Sequence, residues 1–362
     1  MFDGFPHKLR ILARSWSLRL VNGQIDARKV ARTTLRNVSS SDVPAPDVSS
    51  GAGSPPAPSS GTGHPTLAQV VRALDRLYPP STAEGWDAVG LVAGDPAAPV
   101  RKVLFAVDPV AAVVNQALHW DADLLVTHHP LFLRGVSSVA ATTFKGSVVH
   151  RLLTGGCALH VAHTNADAAP RGVADALADL VGITDRRPLE VSAGAEQGSP
   201  MDGPDYGTDR GIGRIGRLAE PTTLAGFARR VAAALPATAQ GIRFSGDPDA
   251  TVTTAAVLGG SGDGYFDAVR AAAADVYVTS DLRHHPASEL RERAEFEARV
   301  AGSPGPAGTP FLVDTAHYAS EWPWLRYAVE DLGAVLAAEG LVVETRVSDL
   351  VTDPWTGQIP SA

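Results

Sequence analysis

One stretch of this chain is written twice. Lys102-Val103-Leu104-Phe105-Ala106-Val107, a helical stretch and Ala122-Asp123-Leu124-Leu125-Val126-Thr127 match a later block. That block is Thr254-Ala255-Ala256-Val257-Leu258, a helical stretch and Ala274-Asp275-Val276-Tyr277-Val278-Thr279, at an offset of 152 residues. Each copy places a helix between two apolar runs of strand length. A strand–helix–strand crossover makes its two strands parallel neighbours in one sheet. The expected fold class is therefore α/β, built as two similar α/β halves with mainly parallel sheets.

The copies part company where their second strands end. Thr279 leads into Ser280-Asp281, whereas Thr127 leads into His128-His129-Pro130. Pro130 removes a backbone donor and stops the ladder. Histidine is the commonest neutral metal ligand, and side chains alternate faces along a strand, so adjacent histidines suit two ions better than one. The pair alone fits equally well with one core-bonded and one solvated imidazole. Further donors shift that balance. Leu159-His160-Val161-Ala162-His163-Thr164-Asn165-Ala166-Asp167 reads as a strand running into a polar turn, and Phe311-Leu312-Val313-Asp314 is an apolar run followed by His317 and Glu321. A separation of four puts His317 and Glu321 on one face of a helix, and Pro323 suits a first helical turn. His128, His129, Asp167, His317 and Glu321 make a nitrogen-and-oxygen donor set without thiolate, which suits zinc, iron(II) or manganese.

His128-His129-Pro130 after Val126-Thr127, His163-Thr164-Asn165-x-Asp167 and His317-x-x-Ser320-Glu321 resemble the Nif-three-like dinuclear metal-centre family, the GTP cyclohydrolase 1 type 2 homologues. Trp86-Asp87-Ala88-Val89-Gly90-Leu91 and the stretch from Asn165 to Gly182 are similar to it as well, so the likeness runs from about residue 66 onward. It implies two divalent metal ions per chain on the five residues named, with Glu321 bridging both. It also implies a ring-like homo-oligomer, such as a hexamer, and a metal-dependent hydrolase. Two ions with Asp167 and Glu321 would leave a cationic cleft for an anionic small-molecule substrate, by purine ring-opening or phosphoester hydrolysis. A non-catalytic metal-binding scaffold or regulatory oligomer is the competing reading. Because His317 and Glu321 must reach the first site, the C-terminal segment is expected to pack back on the first half. Metal loss is expected as pH falls through the histidine range, with Asp167 and Glu321 still ionised there.

Residues 1–38 hold eight Lys/Arg against two Asp/Glu, although the whole chain carries −8. A transit peptide, a basic arm and an extension from a start codon set too far upstream all fit; the last is preferred because the family-like part begins later. Residues 39–66 are rich in Ser, Pro, Gly and Ala, a composition that cannot offset ordering entropy. Thr66 is placed to cap the first helix. The expected organisation is 1–62 extension and linker, 63–187 first half, 188–210 linker loop, 211–300 second half and 301–362 loop and C-terminal ligand segment. The overall acidity argues against a general nucleic-acid binder. The single Cys157 fits a reducing cytoplasm and a buried structural thiol, and no apolar stretch is long enough to span a bilayer.

Two glycine patterns compete for a nucleotide reading. Gly211-x-Gly213-x-x-Gly216 spells the dinucleotide fingerprint, but that motif needs a strand before it and a helix at its last glycine; the preceding residues read as loop. Gly259-Gly260-Ser261-Gly262-Asp263-Gly264 is better placed for an anion, with a tight strand-to-helix turn as the plainer reading. His163 could orient a ligand or be a packed strand histidine. Asp281 and His285 could form a wall of the cleft. His119, His150, His160 and His284 are expected to be ordinary core or surface residues, and Trp86 and Asp87 to be structural.

Overall fold

The computed structural model describes residues 63–191, 209–302 and 308–359. The expected extension over 1–62 lies outside these residues. The first described helix, α1 (Leu67–Leu77), opens where Thr66 closes a capping box with Gln69: the Thr66 hydroxyl accepts from the Gln69 amide, and Gln69 Oε1 accepts from the Thr66 amide at 2.8 Å.

Two sheets follow. The first contains β1 (Gly90–Ala93), β2 (Lys102–Ala106), β3 (Leu124–Thr127), β4 (Ala158–Val161) and the late strand β11 (Glu344–Val347), ordered β1-β4-β3-β2-β11. All its pairings are parallel except β1 with β4. The second contains β5 (Ile183–Val191), β6 (Gly211–Thr223), β7 (Arg243–Ser245), β8 (Thr251–Ser261), β9 (Val276–Ser280) and β10 (Phe311–Thr315), ordered β5-β6-β8-β9-β10-β7. Here only β8-β9 and β9-β10 are parallel. The expectation of mainly parallel sheets thus holds for the first sheet, while the second is mixed.

The twice-written stretch forms β2–α2–β3, with α2 over Ala111–His119, and β8–α7–β9, with α7 over Phe266–Ala271. The register repeats with the sequence. Val103 pairs with Leu124 and Phe105 with Val126; 152 residues on, Ala255 pairs with Val276 and Val257 with Val278.

Side chains on the two sheets sort into three apolar layers. α2 and α3 (Phe144–Thr154) cover one face of the first sheet through Val113, Ala117, Val148 and Leu152. α7 and α8 (His284–Val300) cover one face of the second through Val269 and Leu290. Between the sheets, α1, α5 (Val173–Val181), α6 (Leu224–Ala234) and α10 (Trp324–Ala338) share one core with Phe105, Val126, Val257 and Val278. Burial of both faces explains why β2, β3 and β9 read as continuous apolar runs.

One expected boundary changes. Residues Pro188–Val191 belong to β5 rather than a linker; β5 is an edge strand, where proline is tolerated. Gly211, Gly213 and Gly216 lie within β6, so the fingerprint spelling has no helix to open. A Cβ on Gly216 would stand 2.3 Å from the Thr184 carbonyl oxygen, so close strand approach accounts for that glycine. The C-terminal segment packs back on the first half as expected, α10 against α1 and α5 and β11 beside β2, while β10 joins the second sheet.

Candidate metal centre

The candidate residues meet at the carboxyl ends of parallel strands from both sheets, where open α/β folds place their ligands. His128 and His129 follow β3 directly, and their amides continue the ladder to the Ala106 and Val107 carbonyls. Asp167 lies on α4 (Thr164–Ala168), just after β4. His317 and Glu321 are the first and last residues of α9 (His317–Glu321), one helical turn that leaves β10. Pro323 then precedes α10.

His128 is fully buried, and its Nδ1 donates to the Ala162 carbonyl at 3.0 Å. That bond leaves Nε2 as a lone pair with no hydrogen-bond partner, 3.5 Å from Glu321 Oε1 and 3.8 Å from Asp167 Oδ1. A lone pair facing two carboxylates in a buried site calls for a cation among them. His129 Nε2 stands 3.0 Å from Glu321 Oε2 and 3.2 Å from His317 Nε2. His317 Nε2 is 2.9 Å from Glu321 Oε1. Glu321 is thus set among all three imidazoles while being 3% exposed. Among the described residues, two groups could each hold an ion: His128, His129 and His163, and His129, His317 and Glu321, with ligand atoms inside 4.8 Å of one another. The nitrogen and oxygen donors fit a divalent ion. Asp167 stands outside both groups, at the edge nearest His128.

Each outward-turned imidazole is held from behind by a carboxylate. Asp108 Oδ1 accepts from His129 Nδ1 at 2.7 Å, Asp281 Oδ2 from His317 Nδ1 at 2.7 Å, and Asp87 Oδ2 from His163 Nδ1 at 3.0 Å. Such partners fix the tautomer and raise the basicity of a ligating histidine. Asp281 is therefore the orienting partner of His317, whereas His285 is exposed and stacks edge-on with His284. Asp87 also accepts from the Thr164 amide and hydroxyl, so its structural role includes orienting His163. Trp86 was expected to be structural but is 62% exposed, with its ring 5.9 Å from that of His163. Asp108, which bonds His129, and His163, which joins a group able to hold an ion, were not among the sequence's ligand candidates; the one signal for Asp108 was an acid closing the strand beside the histidine pair.

Electrostatics follow from this geometry. Burial opposes a charged His129, but Glu321 and Asp108 outweigh it and hold its pKa well above the usual value. Burial likewise opposes charge on His317, yet Glu321 and Asp281 raise it to about 10. Burial pushes Asp167 up to about 6, with Glu321 adding repulsion and the histidines opposing. Burial works against ionised Glu321, but His129, His128 and His317 hold it well below the usual carboxylate range. Burial, with His128 beside it, lowers His163 to about 4. The metal-free site thus keeps protons where ions would bind. Elsewhere burial lowers His160 to about 4 and raises Cys157 to about 12, which fits core residues.

Gly260 is what lets the centre close. Its φ is +71°, and a Cβ there would stand 2.6 Å from Glu321 Oε1 and 3.2 Å from His317 Nε2. Its amide donates to Ser320 Oγ at 2.9 Å. Close approach to α9 accounts for Gly260, and Val173 of α5, 2.5 Å from where a Cβ would stand, accounts for Gly259.

The Duf34/NIF3 (NGG1p interacting factor 3) family model matches residues 65–354. A Streptomyces coelicolor protein named GTP cyclohydrolase 1 type 2 homolog is 49% identical over 298 residues, covering 82% of this chain and 96% of that one. A Mycobacterium bovis protein of the same name is 35% identical, covering 80% of this chain and 96% of its own. Among solved structures, a Staphylococcus aureus hypothetical protein is 28% identical with a TM-score of 0.65, over 80% of this chain and 98% of that one. A Bacillus cereus protein related to NIF3 shares the fold with a TM-score of 0.67 at 23% identity, over 81% and 99%. Among the described residues, no helix is long and apolar enough to cross a membrane.

Proposed function

This chain belongs to the Duf34/NIF3 family, and from that premise we propose that it is a dinuclear divalent-metal hydrolase that opens a nitrogen heterocycle. The observation that carries the reading is the buried, unpartnered Nε2 of His128 beside the facing Nε2 atoms of His129 and His317, with Glu321 between them. His128 and Asp167, with His163 alongside, would hold one zinc, iron(II) or manganese ion, His129 and His317 the other, and Glu321 would share both. When bound, such a pair supplies Lewis-acid activation of water and of the bond attacked. Asp87, Asp108 and Asp281 keep each Nδ1 protonated, so every Nε2 stays available as a donor.

The sequence-based expectation of a cationic cleft is revised by these orienting acids. Two divalent ions would bring four positive charges, and Asp167, Glu321, Asp87, Asp108 and Asp281 would return five when ionised. The ions and acids together leave little positive charge at the reacting position itself, which favours a neutral scissile bond there, as in purine imidazole opening, over a phosphoester. The name of the Streptomyces coelicolor and Mycobacterium bovis relatives points the same way. A ring-like homo-oligomer is part of the proposal, and sedimentation tests it.

The deciding experiment supplies zinc, iron(II) or manganese to purified protein and screens nucleosides, nucleotides and phosphoesters for turnover. The hydrolase reading requires metal-dependent turnover that Glu321→Gln abolishes while circular dichroism stays unchanged. Two bound ions without turnover of any substrate would select the non-catalytic scaffold instead.

A further inference from the structure

The chain beyond β11 runs along the metal centre. Its start is pinned at Ser348, which is buried: its carbonyl accepts from Trp322 Nε1 at 3.0 Å, and its hydroxyl donates to Gln116 Oε1 at 2.6 Å. Gln116 Nε2 reaches back to Asp349 Oδ1 at 3.2 Å. Four residues after Ser348, the Thr352 hydroxyl donates to Asp108 Oδ2. The other oxygen of that carboxylate, Oδ1, is the one that accepts from His129 Nδ1 at 2.7 Å. Val351, Pro354 and Trp355 are exposed, whereas Thr352 and Asp353 are half-buried; Asp353 faces the charges of Asp108, Asp281 and His317, and Thr352 is the one hydrogen-bonded to Asp108.

We propose that Thr352 is a positioning residue for the ion of His129, His317 and Glu321, acting through Asp108. The inference rests on the dinuclear reading above. A carboxylate bonded through one oxygen can still swing about its own axis; bonds to both oxygens fix its plane. A fixed Asp108 plane fixes the ring of His129, whose Nε2 must lie between Glu321 Oε2 and His317 Nε2. On the far side of the centre the Thr164 hydroxyl, at 2.7 Å, and His163 Nδ1 meet on a single oxygen of Asp87, Oδ2, so of these two acids only Asp108 is held through both of its oxygens. A threonine–aspartate–histidine chain thus stands at each of two imidazoles, one built from a helix start and the other from the C-terminal tail. Outer partners of ligating histidines change metal affinity by about 10–100-fold, and Thr352 acts one bond further out.

Calorimetric titration of the metal-free full chain with zinc tests this, using His317→Ala to identify which binding phase belongs to that ion. Thr352→Val, nearly isosteric, should weaken the His317-dependent phase by about tenfold and leave the other phase and the metal-free melting temperature unchanged. Thr352→Ser should restore the wild-type phase. Equal affinities in wild type and Thr352→Val would overturn the proposal. So would failure of Thr352→Ser to rescue, or equal weakening of both phases with a lowered melting temperature, which is the mark of a structural role. Wild-type protein that takes up no ion would overturn the dinuclear reading itself and this inference with it.

Discussion

At the scale of single residues, the centre depends on an absence as much as on its donors. Gly260→Ala should put a methyl group where Glu321 Oε1 and His317 Nε2 now lie and strain a φ of +71°. The expected result is loss of the His317-dependent ion, read by metal analysis after dialysis, with a stability cost of about 1–2 kcal/mol in urea; full retention of both ions would refute the role given to Gly260. Protons give a second test. His317 has its pKa raised from 6.5 to about 10, so the stability that its charged form lends the metal-free protein is complete below pH 6.5 and lost as pH rises through about 10. An ion must displace that proton, so affinity should climb with pH across the neutral range, and binding at pH 7.5 should release protons. Titrations in two buffers of different ionisation enthalpy would count them; no release would contradict the assigned partners. Burial holds Asp167 near 6 in the metal-free protein, so below that pH an ion taking Asp167 as a ligand must displace its proton as well. His128, His129, His317 and Glu321, which the fold gathers into two clusters, were legible as candidates because each sits in a short, dense motif. Asp108 and Thr352 were not, since isolated polar residues acquire meaning only when the fold brings them to an imidazole.

At the scale of elements, hydrophobic patterning disclosed β2–α2–β3 and β8–α7–β9 with parallel outer strands, and the structure adds that their registers match. It missed the antiparallel β5–β6 pair, because a Pro188-bearing edge strand and a glycine-rich β6 both resemble loop. The repeat also shows how one strand end serves the other. Ser280 and Asp281 stand 152 residues after His128 and His129; Ser280 bonds Ser320 of α9, and Asp281 bonds His317. On the first side, α10 performs a comparable service. The buried Trp324 ring lies 5.5 Å from that of His128 and edge-on to Tyr78 at 5.4 Å, with Nε1 donating to the Tyr78 hydroxyl. Trp324→Ala should therefore cost about 3–5 kcal/mol in denaturant unfolding, whereas a loss under about 1 kcal/mol would mean that α10 does not brace the histidine.

At the scale of the whole molecule, the described architecture is closed by local bonds at its start: the Pro65 carbonyl accepts from Val100, and Thr66 caps α1. A chain beginning at Gly63 should accordingly melt as the full chain does and bind the same metal; insoluble or unfolded protein would refute the reading of 1–62 as a dispensable extension. The placement of the centre has a mechanical consequence. His128, His129 and His163 leave strands of one sheet, and Asp281, His317 and Glu321 leave strands of the other. An ion gripped by both would act as a rivet against sliding of one sheet over the helices between them. Free ion at about 100 times Kd adds about 2.7 kcal/mol to unfolding, so a chelator should lower the melting temperature and quicken amide exchange at the ends of β3 and β10 together. The stiffness of the whole layered body would then follow the supply of metal.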